Sequence, residues 1–169
     1  MKQLSFLAII LSLFVSLPAF AQDTHTAGGL TWYTDVQKAQ QQSTATNKPI
    51  FAFFTGSDWC GWCHKLERDV FAKPEFVQWA RKKVILLELD FPRNKQLSPE
   101  LAKQNNELQQ VFQVQGYPTI WMFFLNKDAK TNKMNINGLG SLGYPQGATR
   151  GKEEVQFLAD ANKILANKK

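Results

Sequence analysis

FTGSDWCGWC, residues 54–63, contains both cysteines of the chain, Cys60 and Cys63, at the point where an apolar run ends. The run before it, IFAFF at 50–54, is continuous and of strand length, which is typical of a strand buried on both faces of a sheet. The segment after it spaces Leu66, Val70 and Phe71 as one face of a helix would. The cysteines are therefore predicted at the junction of a buried strand and a helix.

A cysteine at the start of a helix ionises more readily than one elsewhere. The unpaired N–H groups and partial positive charge of a helix N-terminus stabilise a thiolate, which is the nucleophilic form of the side chain. Two cysteines are too few for the disulfide scaffold of a small secreted domain. The pair is interpreted as reactive, with a structural bond across the short loop as the alternative.

The rest of the chain alternates helices and strands. Predicted helices cover 35–43, 74–83, 98–112 and 152–166, and predicted strands cover 84–90, 119–125 and 134–139. Val111 and Val155 are expected to point inward from their helices. Alternation first and a hairpin last predicts an α/β fold, a three-layer sandwich with a central mixed β-sheet flanked by helices.

The N-terminal 21 residues have the pattern of a secretory signal. Lys2 precedes an apolar run at 4–17, and Ala19 and Ala21 form an A-x-A cleavage site. The run is shorter than the roughly 20 residues of a bilayer span, although a membrane anchor is the alternative. The predicted organisation is a signal peptide at 1–21, a polar leader at 22–30 and one domain at 31–169, in an exported protein that we expect in the periplasm.

Composition narrows the function classes. The chain is 44% hydrophobic and 12% aromatic, which favours one folded domain with a full core. Its formal net charge of +6 is spread along the sequence without a basic block, so nucleic acid is not expected as a partner. We expect a monomer.

The W-C-x-x-C motif combined with GYPT at 116–119 resembles the thioredoxin superfamily, and the likeness extends from 32 to 165. The stretch 54–63 is similar to exported thioredoxin-like proteins whose motif region reads F-x-G-x-x-W-C-x-W-C. The resemblance implies a thiol:disulfide oxidoreductase acting on cysteine pairs of other exported proteins. We expect a reductase rather than an oxidase or isomerase. It implies no cofactor beyond the two thiols, and a membrane or soluble redox partner that recharges them.

The same resemblance implies roles for particular residues. Cys60 would attack the partner disulfide, and Cys63, one turn deeper, would resolve the mixed disulfide. Pro118 matches a cis-proline that leaves the backbone of Tyr117 free to pair with a bound peptide. The peptide would lie in a groove whose apolar walls are expected to be Trp59 and Trp62. Core packing of these two tryptophans is the alternative.

The chain departs from the family at the groups that handle protons. Thioredoxins usually bury an aspartate and a lysine near the resolving thiol, and those positions fall here on Phe53 and Leu86. Glu88 and Asp58 are the substitutes considered by residue type, with ordinary solvated carboxylates as the alternative. The dipeptide between the cysteines also differs from the reducing and oxidising patterns, so the direction of electron flow does not transfer.

Three rival interpretations remain open at this stage. CGWCH at 60–64 matches a c-type haem attachment signature, with Met122, Met134 and His25 as the candidate second axial ligands. Zinc could use the two cysteines and His64 but lacks an evident fourth ligand, so no metal site is predicted. His64 is expected to face solvent near Cys60, where its charged form favours the thiolate. The third rival is a non-catalytic binding protein on the same fold.

Overall fold

The computed structural model describes residues 24–128, 131 and 133–167, so the predicted signal peptide lies outside the described residues. Six strands and five helices occur in these ranges. The strands are β1 (Thr24–Ala27), β2 (Leu30–Tyr33), β3 (Ile50–Thr55), β4 (Ile85–Asp90), β5 (Thr119–Lys127) and β6 (Met134–Leu142). The helices are α1 (Val36–Thr46), α2 (Gly61–Leu66), α3 (Pro74–Lys83), α4 (Pro99–Val111) and α5 (Glu153–Ala166).

The strands form one mixed sheet in the order β1-β2-β4-β3-β5-β6. Strand β4 runs parallel to both β2 and β3, whereas β5 runs antiparallel to β3 and β6. Every residue of β3 is buried. This central position explains why IFAFF is a continuous apolar run rather than an alternating one.

Two apolar clusters cover the two faces of the sheet, which confirms the predicted three-layer α/β sandwich. Phe51 and Phe53 point to the cluster shared with α2, α3 and α5, whereas Ile50 and Phe54 point to the cluster shared with α1 and α4. Successive side chains of a strand alternate between faces, so one strand contributes to both cores. The first cluster is strongly aromatic, and its rings pack mainly edge to face or tilted.

Local sequence signals mark most helix starts. Asp35 caps α1 by accepting a hydrogen bond from the backbone N–H of Lys38 at 2.9 Å. Ser98 caps α4 in the same way, with Pro99 in the first turn. Two inward assignments were wrong: Val111 and Val155 are each 58% exposed, because α4 and α5 turn neighbouring residues to the sheet instead.

The polar leader predicted at 22–30 is corrected in part by the structure. Thr24–Ala27 forms the outer strand of the sheet, paired antiparallel with β2. This segment has no apolar alternation because it is an edge strand with little burial, so the hydrophobic pattern could not reveal it. The helix after the cysteines also differs, since α2 ends at Leu66 and continues as a π-helical turn over Glu67–Phe71.

Candidate active site

Cys60 and Cys63 lie at the carboxyl end of β3, where α2 begins. Their sulfurs form a disulfide with the Cα atoms 5.2 Å apart. Cys60 is the N-cap residue of α2, and its sulfur accepts a hydrogen bond from the backbone N–H of Cys63 at 3.2 Å. Cys60 is 5% exposed and Cys63 is fully buried, so the first sulfur is the more accessible of the two.

The loop before the cysteines is held to the loop after β4 by two aspartates. Asp90 is buried and accepts hydrogen bonds from the backbone N–H and the hydroxyl of Ser57, at 2.8 and 2.7 Å. Asp58 accepts from the backbone N–H groups of Arg93 and Asn94. The hydrogen bond from Arg93 is the main cause that lowers the pKa of Asp58. Asp58 thus connects two loops as a carboxylate.

Trp59 packs inside this pair of loops. Its indole N–H donates to the carbonyl of Phe91 at 2.8 Å, and the guanidinium of Arg93 lies 3.8 Å from its ring. A Cβ at Gly56 would lie 2.4 Å from the ring, so only glycine fits beneath it. Trp59 also contacts Tyr117 at 5.8 Å between ring centroids. The tryptophan therefore supports the loop and contributes to the wall beside Pro118.

The peptide bond between Tyr117 and Pro118 is cis, as the resemblance implies. The pairing of β5 with β3 ends at Thr119, so Tyr117 lies beyond the paired part of the strand. The Tyr117 ring packs against Phe91, and its hydroxyl accepts from Gln109 at 2.8 Å. Burial raises the pKa of this hydroxyl. The Tyr117 side chain is therefore anchored in the fold by a ring contact and a hydrogen bond.

Trp62 is the exposed member of the predicted wall. It lies at the start of α2, is 56% exposed and contacts Tyr144 edge to face at 5.2 Å. His64, which follows Cys63 in α2, is exposed as predicted. Its Nε2 lies 2.8 Å from the carbonyl oxygen of Ser57. The structure thus brings the predicted aromatic residues around Cys60 and adds a tyrosine from a distant loop.

A cavity of about 610 Å³ lies on the β4 side of the site, away from Pro118. Its wall is partly apolar, with Phe53 and Trp32, and also includes Glu67, Glu88 and His25. Phe53 and the buried Leu86 occupy the two positions where the resemblance implied an aspartate and a lysine. Ionisable groups near the cysteines therefore come from other positions in this chain.

Glu67 is the carboxylate of this cavity nearest to the cysteines along the helix. It follows Cys63 by four residues, and its backbone N–H donates to the Cys63 carbonyl. Residues four apart on a helix are neighbours on one face, with about 5–6 Å between Cβ atoms. Burial is the main cause that raises the pKa of Glu67, and the nearby charges of Glu88 and Asp90 raise it further.

Glu88 has a different partner from the one considered in the sequence. Its Oε2 lies 3.1 Å from Nε2 of His25, a residue of the outer strand β1. The hydrogen bond with Glu88 is the main cause that raises the pKa of His25. The pair therefore links the outer hairpin to β4.

The rival haem and metal interpretations find little support in this arrangement. Met122 is fully buried in β5, Met134 starts β6 on an exposed position, and His25 already contacts Glu88. Within the described ranges, no group of three or more histidines, cysteines or acidic residues is arranged to hold a metal ion.

No helix among the described residues is long and apolar enough to span a bilayer.

Sequence reasoning missed Glu67, Asp90 and Tyr144. The four-residue spacing from Cys63 could have pointed to Glu67, because it needs only the predicted helix. Tyr144 is 82 residues from Trp62 and carries no local signal, so only the folded chain reveals their contact.

Two curated relatives from Chlamydia pneumoniae are similar to this chain. The thioredoxin-related protein DsbJ is 30% identical over 166 residues, which cover 98% of this chain and 45% of the relative. The disulfide bond reductase DsbH is 34% identical over 104 residues, which cover 62% of this chain and 61% of the relative. The alignments thus span less than two thirds of either relative's length.

Solved structures agree with the fold. A structure described as DsbH oxidoreductase matches with a TM-score of 0.63 and 26% identity, covering 92% of this chain and 93% of the other. A thioredoxin from Thermus thermophilus matches with a TM-score of 0.53 and 16% identity, covering 79% and 85%, which supports the fold alone. The thioredoxin-like family model matches residues 31–124, more than half of the sequence. The chain belongs to the thioredoxin-like family.

Proposed function

We propose that this protein is an exported, monomeric thiol:disulfide oxidoreductase that donates electrons to cysteine pairs of other exported proteins. The observation that carries the proposal is the Cys60–Cys63 pair at the start of α2, where the neighbouring Trp59 contacts Tyr117, the residue before cis-Pro118. One relative is described as a disulfide bond reductase, which favours the reducing direction. The signal-like pattern at 1–21 supports export, and the proposed destination is a periplasm.

The chemistry is two successive exchanges. The Cys60 thiolate attacks one sulfur of the substrate disulfide, which forms a Cys60–substrate bond and releases a substrate thiolate that takes a proton from water. Cys63 then loses its proton and attacks the Cys60 sulfur, which releases the second substrate thiolate. Two electrons pass to the substrate, and the protein keeps the Cys60–Cys63 disulfide. A membrane or soluble redox partner must then reduce this disulfide.

The geometry favours Cys60 as the first nucleophile. It is the more exposed sulfur, and it receives the N–H of Cys63 at the start of the helix. A hydrogen bond to the charged form of a thiol favours ionisation, and the helix N-terminus adds to it. Cys63 is fully buried, so it attacks the Cys60 sulfur of the mixed disulfide and does not react with a substrate directly.

Cys63 needs a proton acceptor, and we assign Glu67 to this role. It lies one turn from Cys63 and lines a cavity that can admit water. Burial raises the pKa of Glu67, which makes its carboxylate a stronger base than one in water. Asp58 is unsuitable because its oxygens already accept two backbone N–H groups.

The test combines a potential with two variants. Equilibration against graded glutathione, read by tryptophan fluorescence, should give a reversible two-electron couple near thioredoxin's value of about −270 mV. Cys60→Ser should abolish reduction of a peptide disulfide, whereas Cys63→Ser should accumulate a mixed disulfide detectable by mass spectrometry. An exposed variant far from the site, Val155→Ala, serves as the matched control.

Two results would contradict the proposal. A potential near −120 to −180 mV would mean an oxidant or isomerase instead of a reductase. The absence of a reversible couple, with partner binding retained in Cys60→Ser, would favour a non-catalytic binding protein.

A further inference from the structure

The loop after β6 brings an aromatic side chain to the active-site helix. Tyr144 contacts the ring of Trp62 edge to face, with 5.2 Å between centroids. Trp62 is 56% exposed, although burial of a tryptophan is strongly favourable. Among the described residues, it is the one aromatic side chain in the set of exposed large hydrophobic residues. The two rings form a surface that we call the Trp62–Tyr144 platform.

Polar contacts hold Tyr144 in this position. Its hydroxyl donates to Oδ2 of Asp69 at 3.0 Å, and Lys65 contacts both that oxygen and the hydroxyl. Lys65 is the main cause that lowers the pKa of Asp69 to about 2, so Asp69 stays ionised at any physiological pH. Asp69 also accepts from Arg68 at 2.9 Å. The platform is therefore attached to α2 and to the turn that follows it.

The platform lies next to the cis-proline. A Cβ at Gly143, the residue before Tyr144, would lie 3.6 Å from the carbonyl oxygen of Pro118. Tyr117, on the other side of Pro118, lies beyond the paired part of β5. An extended segment pairing with the backbone at 117 would thus lie beside the loop that carries Tyr144.

We propose that the Trp62–Tyr144 platform selects substrate segments with an apolar or aromatic side chain beside the reacting cysteine. This inference rests on the proposed function. The occupant is an extended segment of a disulfide-bearing protein, because Cys60 can react only with a segment that places a sulfur against it. The ring surfaces are apolar, and the cation nearest to Tyr144 is bound to Asp69, so the contact favours burial of apolar area over ion pairing.

Two disulfide-bearing peptides test the platform. They differ only in the residue next to the cysteine, leucine in one and serine in the other. We expect the wild type to reduce the leucine peptide with the higher kcat/KM. Tyr144→Ala should lower the leucine-to-serine ratio of kcat/KM by about fivefold to tenfold, the typical worth of an aromatic contact.

Further variants separate the ring from its attachment. Tyr144→Phe keeps the ring and loses the hydroxyl contacts, so the ratio should fall less than in Tyr144→Ala. Trp62→Ala should lower the ratio as Tyr144→Ala does. Ile136→Ala, at an exposed apolar position on β6, is the matched control and should leave the ratio unchanged.

The outcomes distinguish this inference from the proposed function. Equal loss for both peptides in Tyr144→Ala would mean that the loop affects Cys60 chemistry, which overturns the platform. An unchanged ratio would overturn it as well. If the wild type reduces neither peptide, the proposed function fails. Binding of the same peptides with serine for cysteine, measured by fluorescence titration, then still decides whether the platform prefers leucine.

Discussion

Glu67 lies in surroundings that differ from those of an ordinary surface glutamate. It lies one turn from Cys63 on the cavity wall, and burial raises its pKa. A raised carboxyl pKa means that the folded protein holds the proton more tightly than the unfolded chain does. Ionising this group therefore costs folding stability, while the same environment makes it a better base.

Replacing Glu67 by Gln should separate these two effects. Reduction of a peptide disulfide should slow about 100-fold near neutral pH, the low end of what a general base contributes, and recover toward high pH, where Cys63 ionises unaided. The same variant should unfold at a higher temperature at pH 7, and this gain should vanish below about pH 4, where the carboxyl is protonated in both states. Rate profiles and thermal melts measure the two effects.

Glu107→Gln is the matched control, because Glu107 is exposed on α4, where its carboxylate lies 3.8 Å from the Lys103 ammonium. It should change neither profile. Equal rates for Glu67→Gln and the wild type across the pH range would show that Glu67 takes no proton from Cys63.

At the scale of elements, the outer hairpin depends on a titrating pair. His25 on β1 contacts Glu88 on β4, so the pair ties strands that are not adjacent in the sheet. The pKa of His25 is raised, so its contribution to stability is complete below the ordinary histidine value of about 6.5 and is lost as pH rises through the folded value. Both side chains are partly exposed, so the effect should stay below about 1 kcal/mol.

His25→Gln should remove this pH dependence. Hydrogen exchange of the amides in β1 and β2 should be faster in the variant at pH 5.5 and equal to the wild type at pH 9, once intrinsic rates are corrected. His64→Gln is the control for the second histidine of the chain. Equal protection of the hairpin in His25→Gln and the wild type at pH 5.5 would contradict the role of the pair.

For the whole molecule, redox state and stability are linked by one thermodynamic cycle. A reductase has an oxidised form that is more stable than its dithiol form, whereas a strong oxidant has the reverse order. Closing the four-residue loop between Cys60 and Cys63 stabilises the oxidised protein against unfolding by about 2 kcal/mol in the chain-entropy account. The two large apolar clusters are present in both redox forms.

The oxidised protein should therefore melt about 4–8 °C above the reduced protein, and both should melt cooperatively. Calorimetry with and without a phosphine reductant measures the difference. The doubly substituted Cys60→Ser, Cys63→Ser protein controls for effects of the reductant. A reduced form that melts above the oxidised form would contradict the reducing direction.

The sequence by itself determined the parts of this protein that depend on local patterns. The buried run at 50–54, the caps at Asp35 and Ser98, and the cysteines at a strand-to-helix junction are each encoded within a few residues, because strand burial and helix capping are short-range effects. The order of the predicted helices and strands then implied the three-layer fold, and the motifs at 60–63 and 116–119 carried the family resemblance. These predictions agree with the structure.

Only the tertiary structure determined which distant side chains meet. The edge strand at Thr24–Ala27 carries no apolar pattern because an edge strand buries little. The sequence also left Asp58 as a candidate proton acceptor, whereas in the structure its carboxylate accepts hydrogen bonds from the backbone N–H groups of Arg93 and Asn94. The platform joins residues 82 positions apart, a contact set by the sheet order and the loop path. Local patterns therefore encoded the position of the two cysteines, while the burial around Glu67 and the contact between Trp62 and Tyr144 depend on long-range packing.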